Sequence, residues 1–439
     1  MKIAIAGYGI EGEENYAYWS TDPANDITIV DEDIETKRPL PAAASTILGP
    51  GAFEKLDGYD LVVRTAGLAP YKIKTDGKIW SATNEFLEKC PAPVIGVTGS
   101  KGKGTTASLA TSMLRAAGKT VWLVGNIGVP ALSVLSKIAP ADIVVYELSS
   151  FQAWDLQRSP HVAVVLYIEQ EHLDIHRSMD DYVNAKAHIT TFQTADDILV
   201  YNGLNPYAQQ IAASSQAQRV AYPSPAAAHV VDKCIYYGET RLCPISAIQL
   251  KGKHNVDNAM AAIDAVWPYT QDAAAIERGL AAFKGLPHRL AYVATVNGVD
   301  YYDDSIATTP SSAIAALRAF PTSSKVIILG GSYKGSDFTA LAEELSYHQN
   351  TRALLIGDEA ERIAKACDAV GFHHYEIMQQ ATAQGFTRRA SELARPGDIV
   401  LLSPAAASFG LFRNYVDRGE QYIVAVRELQ EKSESEAVA

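Results

Sequence analysis

A glycine-rich, lysine-containing segment that follows an apolar run constrains the fold of this 439-residue chain more than any other feature. The run spans residues 94–98 and leads into Gly99, Ser100, Lys101, Gly102, Lys103, Gly104, Thr105 and Thr106. This order predicts a buried strand, a loop whose backbone N–H groups surround an anion, and the start of a helix. We expect Lys103 to reach the β- and γ-phosphates of a triphosphate and a threonine hydroxyl to contact Mg²⁺. The strict pattern would place a glycine at Val97 and a hydroxyl residue at Gly104, so the match is incomplete.

The overall charge and the cysteine spacing exclude several classes of protein. A net charge of −12 argues against a surface that binds nucleic acid or an anionic membrane. The four cysteines lie far apart, as expected for thiols of a reducing compartment. The N-terminus lacks the pattern of a signal peptide, and no apolar stretch reaches the roughly 18 residues of a membrane span. We therefore expect a cytoplasmic protein with small-molecule substrates and no nucleic-acid or membrane partner.

Strand-like and helical patterns alternate along the whole chain, which predicts α/β domains with mostly parallel sheets. We expect an N-terminal Rossmann-like domain over residues 1–88, a central phosphate-loop domain over 89–285 and a C-terminal Rossmann-like domain over 286–439. The strands predicted for the second and third domains are residues 94–98, 121–124, 143–147, 162–167, 198–201, 300–302, 326–329, 353–356 and 399–402.

A second glycine motif lies near the N-terminus. Gly7, Gly9 and Gly12 follow an apolar run in the spacing of a dinucleotide-binding turn, with Ile10 and Glu11 between them, and Asp31 follows about 20 residues later. The motif fits an NAD site, a site for another nucleotide diphosphate, or a purely structural turn. The predicted domain is short for a complete dinucleotide fold, which favours a ligand of half that size.

Acidic and histidine residues follow the phosphate loop in the chain. Glu147 ends a predicted strand, where a Mg²⁺ ligand is expected in this context, although an isolated acid there is more often solvated. His172, Asp174 and His176 alternate, and alone they fit a zinc site, a magnesium site or a hydrogen-bonded histidine pair equally well. Lys186 lies on a predicted helix, where an ordinary lysine would be exposed to solvent.

The ordered set of motifs resembles the Mur ligase family, and most closely its glutamate-adding members, over essentially the whole chain. The matching residues are Gly99 to Lys103, Gly125 to Pro130, Glu147 to Gln152, His172 to Asp174, Ala185 and Lys186, Gly252 to Asn255 with Asn258 and Ala259, Gly285 to Arg289, Asp304 and Ser305 with Ala307 and Thr308, Leu329 to Gly331 with Lys334, and Leu402 to Ala405 with Ala407 and Ser408.

The resemblance implies an ATP-dependent amide ligase that joins glutamate to UDP-N-acetylmuramoyl-L-alanine through an acyl phosphate, in peptidoglycan precursor synthesis. It implies ATP and two Mg²⁺ ions as cofactors, and a Lys186 that is carbamylated by CO₂. ATP would be bound by residues 99–105, Asn258, Arg289 and Asp304, and the metal by Thr105, Glu147, His172 and carbamylated Lys186. The uridine diphosphate would lie near Gly9, Ile10, Glu11 and Asp31. The rest of the muramoyl substrate and glutamate would contact Asn126, Ser149, Gln152, Thr308, Lys334, Ser408 and Tyr415.

The chain departs from the family pattern at several positions. Gly104 replaces a hydroxyl residue, as it does in folylpolyglutamate synthases, which also add glutamate through an acyl phosphate. Tyr167 and Glu171 stand where asparagine and aspartate are common, and Ile306 stands where a lysine is common. The loss of that lysine bears on which enantiomer of glutamate is accepted. D-glutamate is the favoured amino-acid substrate, and L-glutamate is the alternative. Two other functions also fit these departures, a folylpolyglutamate-type ligase and an inactive nucleotide-binding scaffold. We expect the protein to be a monomer.

Overall fold

The computed structural model describes residues 1–36, 38–42, 44–173, 175–250, 252–333, 335–348, 350–378 and 382–438, with side chains up to residue 435. The chain divides into two compact units, Met1–Phe283 and Lys284–Ala439. The first unit contains two separate parallel sheets, one formed by strands before residue 88 and one by strands after it, and the domain boundary expected there stays a prediction.

The first sheet has five parallel strands in the order β3-β2-β1-β4-β5. Ile3 and Ile5 of β1 pack on one side of the sheet and Ala4 and Ala6 on the other, so both faces are buried and the strand is continuously apolar. The chain leaves β1 toward β2 and later returns to β4 on the other side, which opens a crevice beyond the carboxyl ends of β1 and β4. The elements are β1 Lys2–Ala6, α1 Ile10–Trp19, β2 Asp26–Asp31, β3 Ser45–Leu48, β4 Leu61–Arg64, β5 Lys78–Ser81 and α2 Ala82–Lys89.

The second sheet has six parallel strands in the order β11-β10-β9-β6-β8-β7. Its centre is β6, the strand that feeds the phosphate loop, with β8 and β9 as neighbours. The carboxyl ends of these three strands therefore meet at one edge. The elements are β6 Val94–Thr98, α3 Lys103–Ala116, β7 Val121–Gly125, α4 Ala131–Val134, β8 Ile143–Glu147, α5 Ser150–Ala153, β9 Val162–Val165, α6 Met179–Thr191, β10 Ile198–Asn202, α7 Pro206–Ser214 and β11 Gln218–Tyr222.

A small antiparallel sheet and two helices complete the first unit. The strands are β12 Ala228–Val231, β13 Cys234–Tyr237 and β14 Thr240–Pro244, and the helices are α8 Lys253–Val266 and α9 Ala273–Ala282. Helix α9 lies against α3 at Gly279, where a Cβ atom would be 2.4 Å from Cα of Met113. This close approach packs α9 directly on the phosphate-loop helix.

The second unit is a six-stranded sheet in the order β15-β16-β20-β17-β18-β19. A β15–β16 hairpin forms its antiparallel edge, and the remaining pairs are parallel. The elements are β15 Ala291–Val296, β16 Val299–Asp303, α10 Pro310–Ala319, β17 Lys325–Gly330, α11 Thr339–Tyr347, β18 Thr351–Ile356, α12 Ala360–Ala369, β19 Tyr375–Ile377, α13 Ala383–Leu393, β20 Ile399–Leu402 and α14 Tyr415–Val438.

The predicted α/β class with mostly parallel sheets is confirmed, and so are the strands predicted at 94–98, 143–147 and 399–402. The strand predicted at 162–167 ends at Val165, because the backbone beyond it turns to hydrogen-bond the phosphate loop. Within the described ranges, no helix is both long and apolar enough to cross a membrane.

Candidate active site

The phosphate loop follows β6 and ends where α3 begins at Lys103. Gly102 immediately before the helix has a φ of +88°, a left-handed conformation that favours glycine. A Cβ atom at this position would also lie 2.2 Å from Oδ1 of Asn258. The loop therefore contacts Asn258 of α8 directly, and this brings one predicted ATP-binding residue against the predicted phosphate site.

Two lysine side chains meet at one carbonyl of this loop. Lys103 Nζ donates to the Gly99 oxygen at 3.0 Å and to the Ser100 oxygen at 2.8 Å, and Lys186 Nζ of α6 donates to the same Gly99 oxygen at 2.8 Å. Lys186 is only 1% exposed, so the plain expectation of a solvated helix lysine is wrong. Burial, together with the charge of Lys103, holds the pKa of Lys186 well below its usual range.

Glu147 ends β8 beside the phosphate loop and is 3% exposed. Asn126 Nδ2 donates to Glu147 Oε1 at 3.2 Å, so two predicted site residues are in contact. Glu147 also acts electrostatically on Lys186. A carboxylate with a threonine hydroxyl in the first turn of α3 supplies the oxygen ligands that Mg²⁺ prefers, and the donor set near the loop fits this ion.

Ser149 and Gln152 form a capping box at the start of the short helix α5. Ser149 Oγ accepts a hydrogen bond from the Gln152 backbone N–H at 3.2 Å, and Gln152 Oε1 accepts one from the Ser149 backbone N–H at 3.0 Å. Both side chains thus fix the helix that follows Glu147. Their predicted contact with the muramoyl substrate stays a prediction.

The segment 167–173 runs over the phosphate loop. The Tyr167 carbonyl accepts from the Ser100 N–H at 2.9 Å, the Glu169 carbonyl accepts from Ser100 Oγ at 2.9 Å, and Glu171 Oε1 accepts from Lys101 Nζ at 2.5 Å. Glu171 therefore binds the loop through its side-chain carboxylate. His172 follows with a φ of +57° and its ring lies 5.0 Å from that of Phe151.

His176 packs on Phe151 as His172 does, but it is buried whereas His172 is exposed. The Nε2 of His176 lies 2.9 Å from Ser150 Oγ, and its ring centroid lies 4.0 Å from that of Trp154. Asp174 lies outside the described residues. Among the residues that the structure describes, no three His, Cys, Asp or Glu side chains are grouped to hold a metal ion.

The glycine motif of the first sheet forms a tight turn into α1. A Cβ atom at Gly12 would lie 2.2 Å from the Gly7 carbonyl oxygen, whereas one at Gly9 would meet nothing within 4 Å. Asp31 Oδ2 accepts from the Tyr8 N–H at 2.6 Å. Glu11 Oε2 accepts from the Ala66 N–H at 2.8 Å, and burial raises the pKa of Glu11.

The two acids Asp31 and Glu11 therefore hold the crevice of the first sheet in shape through backbone N–H groups. Gly9 and the largely exposed Ile10 remain accessible to a ligand at the start of α1.

In the second unit, the predicted ATP residue Asp304 follows β16 and is buried. Its Oδ2 accepts from Ser403 Oγ at 2.7 Å and its Oδ1 from the Leu290 N–H at 3.1 Å. Burial raises the pKa of Asp304 to about 7. Arg289, one residue before Leu290, is exposed, and its positive charge acts to lower the pKa of Asp304.

The predicted glutamate residues of the second unit lie on the loops that follow β16 and β20. Ser408 is buried, Thr308 is half-buried, and Tyr415 begins α14 with a partly exposed ring. The Tyr415 carbonyl accepts from Ser305 Oγ at 2.7 Å, which joins the start of α14 to the Asp304 loop. Lys334 lies outside the described residues.

Two buried residues that organise these sites were not predicted to do so. Tyr182 OH lies 2.9 Å from Ser100 Oγ, and its ring lies 4.5 Å from Lys186 Nζ. Arg418 donates to both Ser305 Oγ at 2.9 Å and the Ala406 carbonyl at 3.2 Å. Their residue types and local patterns carry no signal of burial, because each binds a distant segment. Ser100 lies 82 residues from Tyr182 in the chain, and Ser305 lies 113 residues from Arg418.

Two family descriptions match most of the chain after the first sheet. The Mur ligase middle domain matches residues 97–266, and the Mur ligase glutamate ligase domain matches residues 288–406. The UDP-N-acetylmuramoylalanine–D-glutamate ligase of Acetivibrio thermocellus is 34% identical over an alignment that covers 98% of this chain and 97% of that protein. The protein of the same name from Symbiobacterium thermophilum is 37% identical, with 86% of each chain covered.

Solved structures share the fold at low sequence identity. MurF ligase from Thermotoga maritima, in complex with ADP, matches with a TM-score of 0.57 and 17% identity, over 98% of this chain and 95% of that one. E. coli FolC in complex with DHPP and ADP matches with a TM-score of 0.56 and 17% identity, over 79% of this chain and 92% of FolC. At these identities the similarity concerns the fold alone.

Proposed function

The chain belongs to the Mur ligase family, and on that premise we propose that it ligates D-glutamate to UDP-N-acetylmuramoyl-L-alanine with hydrolysis of ATP to ADP. The relatives aligned over nearly their whole length carry the name of this activity. The reaction belongs to peptidoglycan precursor synthesis. The observation that carries the proposal is the contact of Lys103 and the buried Lys186 with one phosphate-loop carbonyl, next to Glu147.

Amide formation needs an activated carboxylate, because a carboxylate is a poor electrophile. In the first step, an oxygen of the substrate carboxylate attacks the γ-phosphorus of ATP, and ADP leaves. The amine of glutamate then attacks the acyl carbon of the mixed anhydride, and the tetrahedral intermediate collapses to the amide with loss of phosphate and a proton. The loop N–H groups and Lys103 would hold the phosphates of ATP, with Asn258 beside the loop.

Thr105, Glu147, His172 and a carbamylated Lys186 would hold Mg²⁺, which supplies screening of the negative charges that meet in the first step. The surroundings of Lys186 support the carbamylation. Only a neutral amine attacks CO₂, and burial beside Lys103 favours the neutral form. The product is a carbamate with the loss of one proton, which converts a cation into a carboxylate-like ligand next to Glu147.

The nucleotide end of the acceptor would bind in the crevice of the first sheet, near Gly9, Ile10 and Asp31. The size of this five-stranded sheet favours a uridine diphosphate over NAD. Asn126, Ser149 and Gln152 would contact the muramoyl part, and Thr308, Lys334, Ser408 and Tyr415 the glutamate. Arg289 and Asp304 would contact ATP. We further propose that the protein acts as a monomer, which light scattering at assay concentration would check.

L-glutamate is the second candidate amino acid, because Ile306 replaces the common lysine next to Ser305. A folate substrate has less support. FolC leaves about a fifth of this chain uncovered, whereas the relatives named as D-glutamate ligases align with up to 98% of it.

The test is a ligation assay with ATP, Mg²⁺ and UDP-N-acetylmuramoyl-L-alanine, run separately with D- and L-glutamate and with a pteroate acceptor in place of the muramoyl substrate. We expect ADP and the dipeptide product only in the muramoyl reaction with D-glutamate. If product forms with L-glutamate and not with D-glutamate, the amino-acid substrate is L-glutamate and the proposed enantiomer is wrong. No product with either enantiomer would refute the proposed ligase.

A further inference from the structure

We propose that Arg64 is a positioning residue, which holds the crevice of the first sheet at a fixed distance from the phosphate-transfer residues of the second sheet. The inference rests on the proposed function, in which one acceptor molecule binds through its nucleotide in the crevice of the first sheet and presents its carboxylate to the phosphate-transfer residues of the second sheet. Arg64 is the last residue of β4, beside that crevice, and its side chain is fully buried.

The guanidinium group of Arg64 binds the segment that follows α5. Its Nε donates to Asp155 Oδ2 at 2.7 Å, and its Nη2 pairs with Asp155 Oδ1 and donates to the Phe151 carbonyl at 2.9 Å. Its Nη1 donates to the Leu68 carbonyl at 3.2 Å, on its own side. The planar fork of an arginine matches the two carboxylate oxygens, and the single ammonium group of a lysine cannot reproduce this bidentate geometry.

A second set of hydrogen bonds fastens the same segment to α2. Asn84 Nδ2 donates to the Asp155 carbonyl at 3.1 Å, and Asn84 Oδ1 accepts from the Gln157 N–H at 2.7 Å. The residues around Asp155 are therefore held to the first-sheet segment at two points. Both contacts lie at the carboxyl edge of the sheet, and the Arg64 contact is the one on β4, beside the crevice where the ligand is expected.

Phe151 connects Arg64 to the candidate metal ligand His172. Its carbonyl binds Arg64, and its ring lies 5.0 Å from the His172 ring and 5.3 Å from the His176 ring, on which it stacks. It belongs to α5, which starts three residues after Glu147. A shift of the Arg64 contact would therefore move the helix beside Glu147 and the side chain that packs on His172.

The size of the expected effect follows from the geometry of the reaction. A misplacement of about 1 Å between reacting groups can cost about 100-fold in rate. Under the proposed function, binding of UDP alone uses only the first sheet, and binding of ADP alone uses only the phosphate loop and Asn258 within this unit. Loss of the Arg64 contact should therefore reduce kcat for ligation while each nucleotide still binds.

Arg64→Lys tests this, with Arg158→Lys as the matched control. Arg158 lies three residues after Asp155 and pairs with Glu88 of α2 at 2.5 Å, but both side chains of this pair are exposed. We expect Arg64→Lys to lower kcat about 100-fold, with an unchanged KM for ATP and with UDP and ADP affinities within about threefold of wild type. Arg158→Lys should match wild type. Asp155→Asn keeps an oxygen acceptor and should lower kcat about tenfold, so it decides the question if Arg64→Lys does not fold.

The outcomes separate this inference from the proposed function. Wild-type protein that ligates neither enantiomer of glutamate overturns the proposed function and this inference with it. If wild type is active, the inference is overturned by an Arg64→Lys or Asp155→Asn protein with undiminished kcat. It is equally overturned if kcat falls only in proportion to lost UDP and ADP binding, because that pattern indicates general destabilisation.

Discussion

Lys186 differs from an exposed helix lysine such as Lys432 in its burial, not in its residue type. Nothing in residues 182–186 predicts burial, because the Gly99 carbonyl that its amine binds lies 87 residues earlier. The family resemblance indicated its role, and the structure adds a physical reason for the neutral amine. Glu147, by contrast, could be placed from the sequence alone, since an acid at the end of an apolar strand after a phosphate loop lies beside that loop.

Under the proposed function, Lys186→Ala should lower ligase activity by at least about 100-fold, because it removes a ligand of the Mg²⁺ that would screen the phosphate charges. Short carboxylic acids such as formate or acetate should restore part of the activity by occupying the vacated space. The measurement is the rate of ADP release against acid concentration. Lys137→Ala removes an exposed lysine and should show neither the loss nor the rescue. Absence of rescue at every acid concentration would count against the carbamate.

Asp304 should make ATP binding depend on pH. Its raised pKa of about 7 means that the carboxylate forms between pH 6 and 8. If the ionised form binds ATP, the KM for ATP should fall about tenfold over this interval as pH rises. Asp304→Asn is neutral throughout and should give a higher, flat profile. A wild-type KM that stays constant across the interval would contradict an ATP contact through this carboxylate.

At the scale of elements, helix α3 is bounded by two glycines with similar backbone conformations and different neighbours. Gly102 before the helix has a φ of +88° and touches Asn258, whereas Gly118 after it has a φ of +77° and meets nothing within 4 Å. The sequence predicted a loop and helix here, but it could not predict that α8 packs on the loop, because that contact depends on tertiary structure.

The pair Gly102→Ala and Gly118→Ala separates backbone strain from the Asn258 contact. Each substitution should cost about 1–2 kcal/mol of stability for the left-handed conformation. Only Gly102→Ala should also weaken ATP binding, by more than about tenfold, since the new methyl group displaces the Asn258 amide from the loop. Calorimetric titration with ADP and thermal unfolding measure the two effects. Equal nucleotide affinity in both variants would show that the contact has no part in binding.

At the scale of the whole molecule, the alternation of apolar runs and helical patterns was sufficient to predict the α/β class. The strands predicted at 94–98 and 143–147 were right because both faces of their sheet are buried and they are continuously apolar. The edge strand β3 and the short β19 were missed, because their residues are half-exposed and give no apolar run. Strand order also lay beyond the sequence, since it depends on contacts between distant segments.

The global stability should decrease as pH rises, because one acid of α8 is buried. Asp264 Oδ1 accepts from the Ala228 N–H at 2.8 Å, and burial raises its pKa to about 8. The folded state therefore retains a proton that the unfolded state loses near pH 4, so this acid costs stability as pH rises from about 4 to 8.

Asp264→Asn keeps the acceptor oxygen and removes the charge, so it should raise the free energy of unfolding at pH 8 by about 1–3 kcal/mol and by less at pH 5. Urea unfolding at both pH values measures this. Asp272→Asn, at the exposed N-cap of α9, should leave both values unchanged. A gain at pH 5 as large as that at pH 8 would rule out ionisation as the cause.

The Arg64–Asp155 pair also has an evolutionary consequence. The two positions are 91 residues apart in the chain, and neither can change alone without leaving a charge unpaired in a largely buried place. Such a loss costs about 3–5 kcal/mol, which is a large part of the stability of a typical domain. Descendants of a common ancestor should therefore have exchanged both residues or neither. An aligned set of relatives should show lineages that keep an arginine with an acid and lineages that lack both, with few intermediates between them.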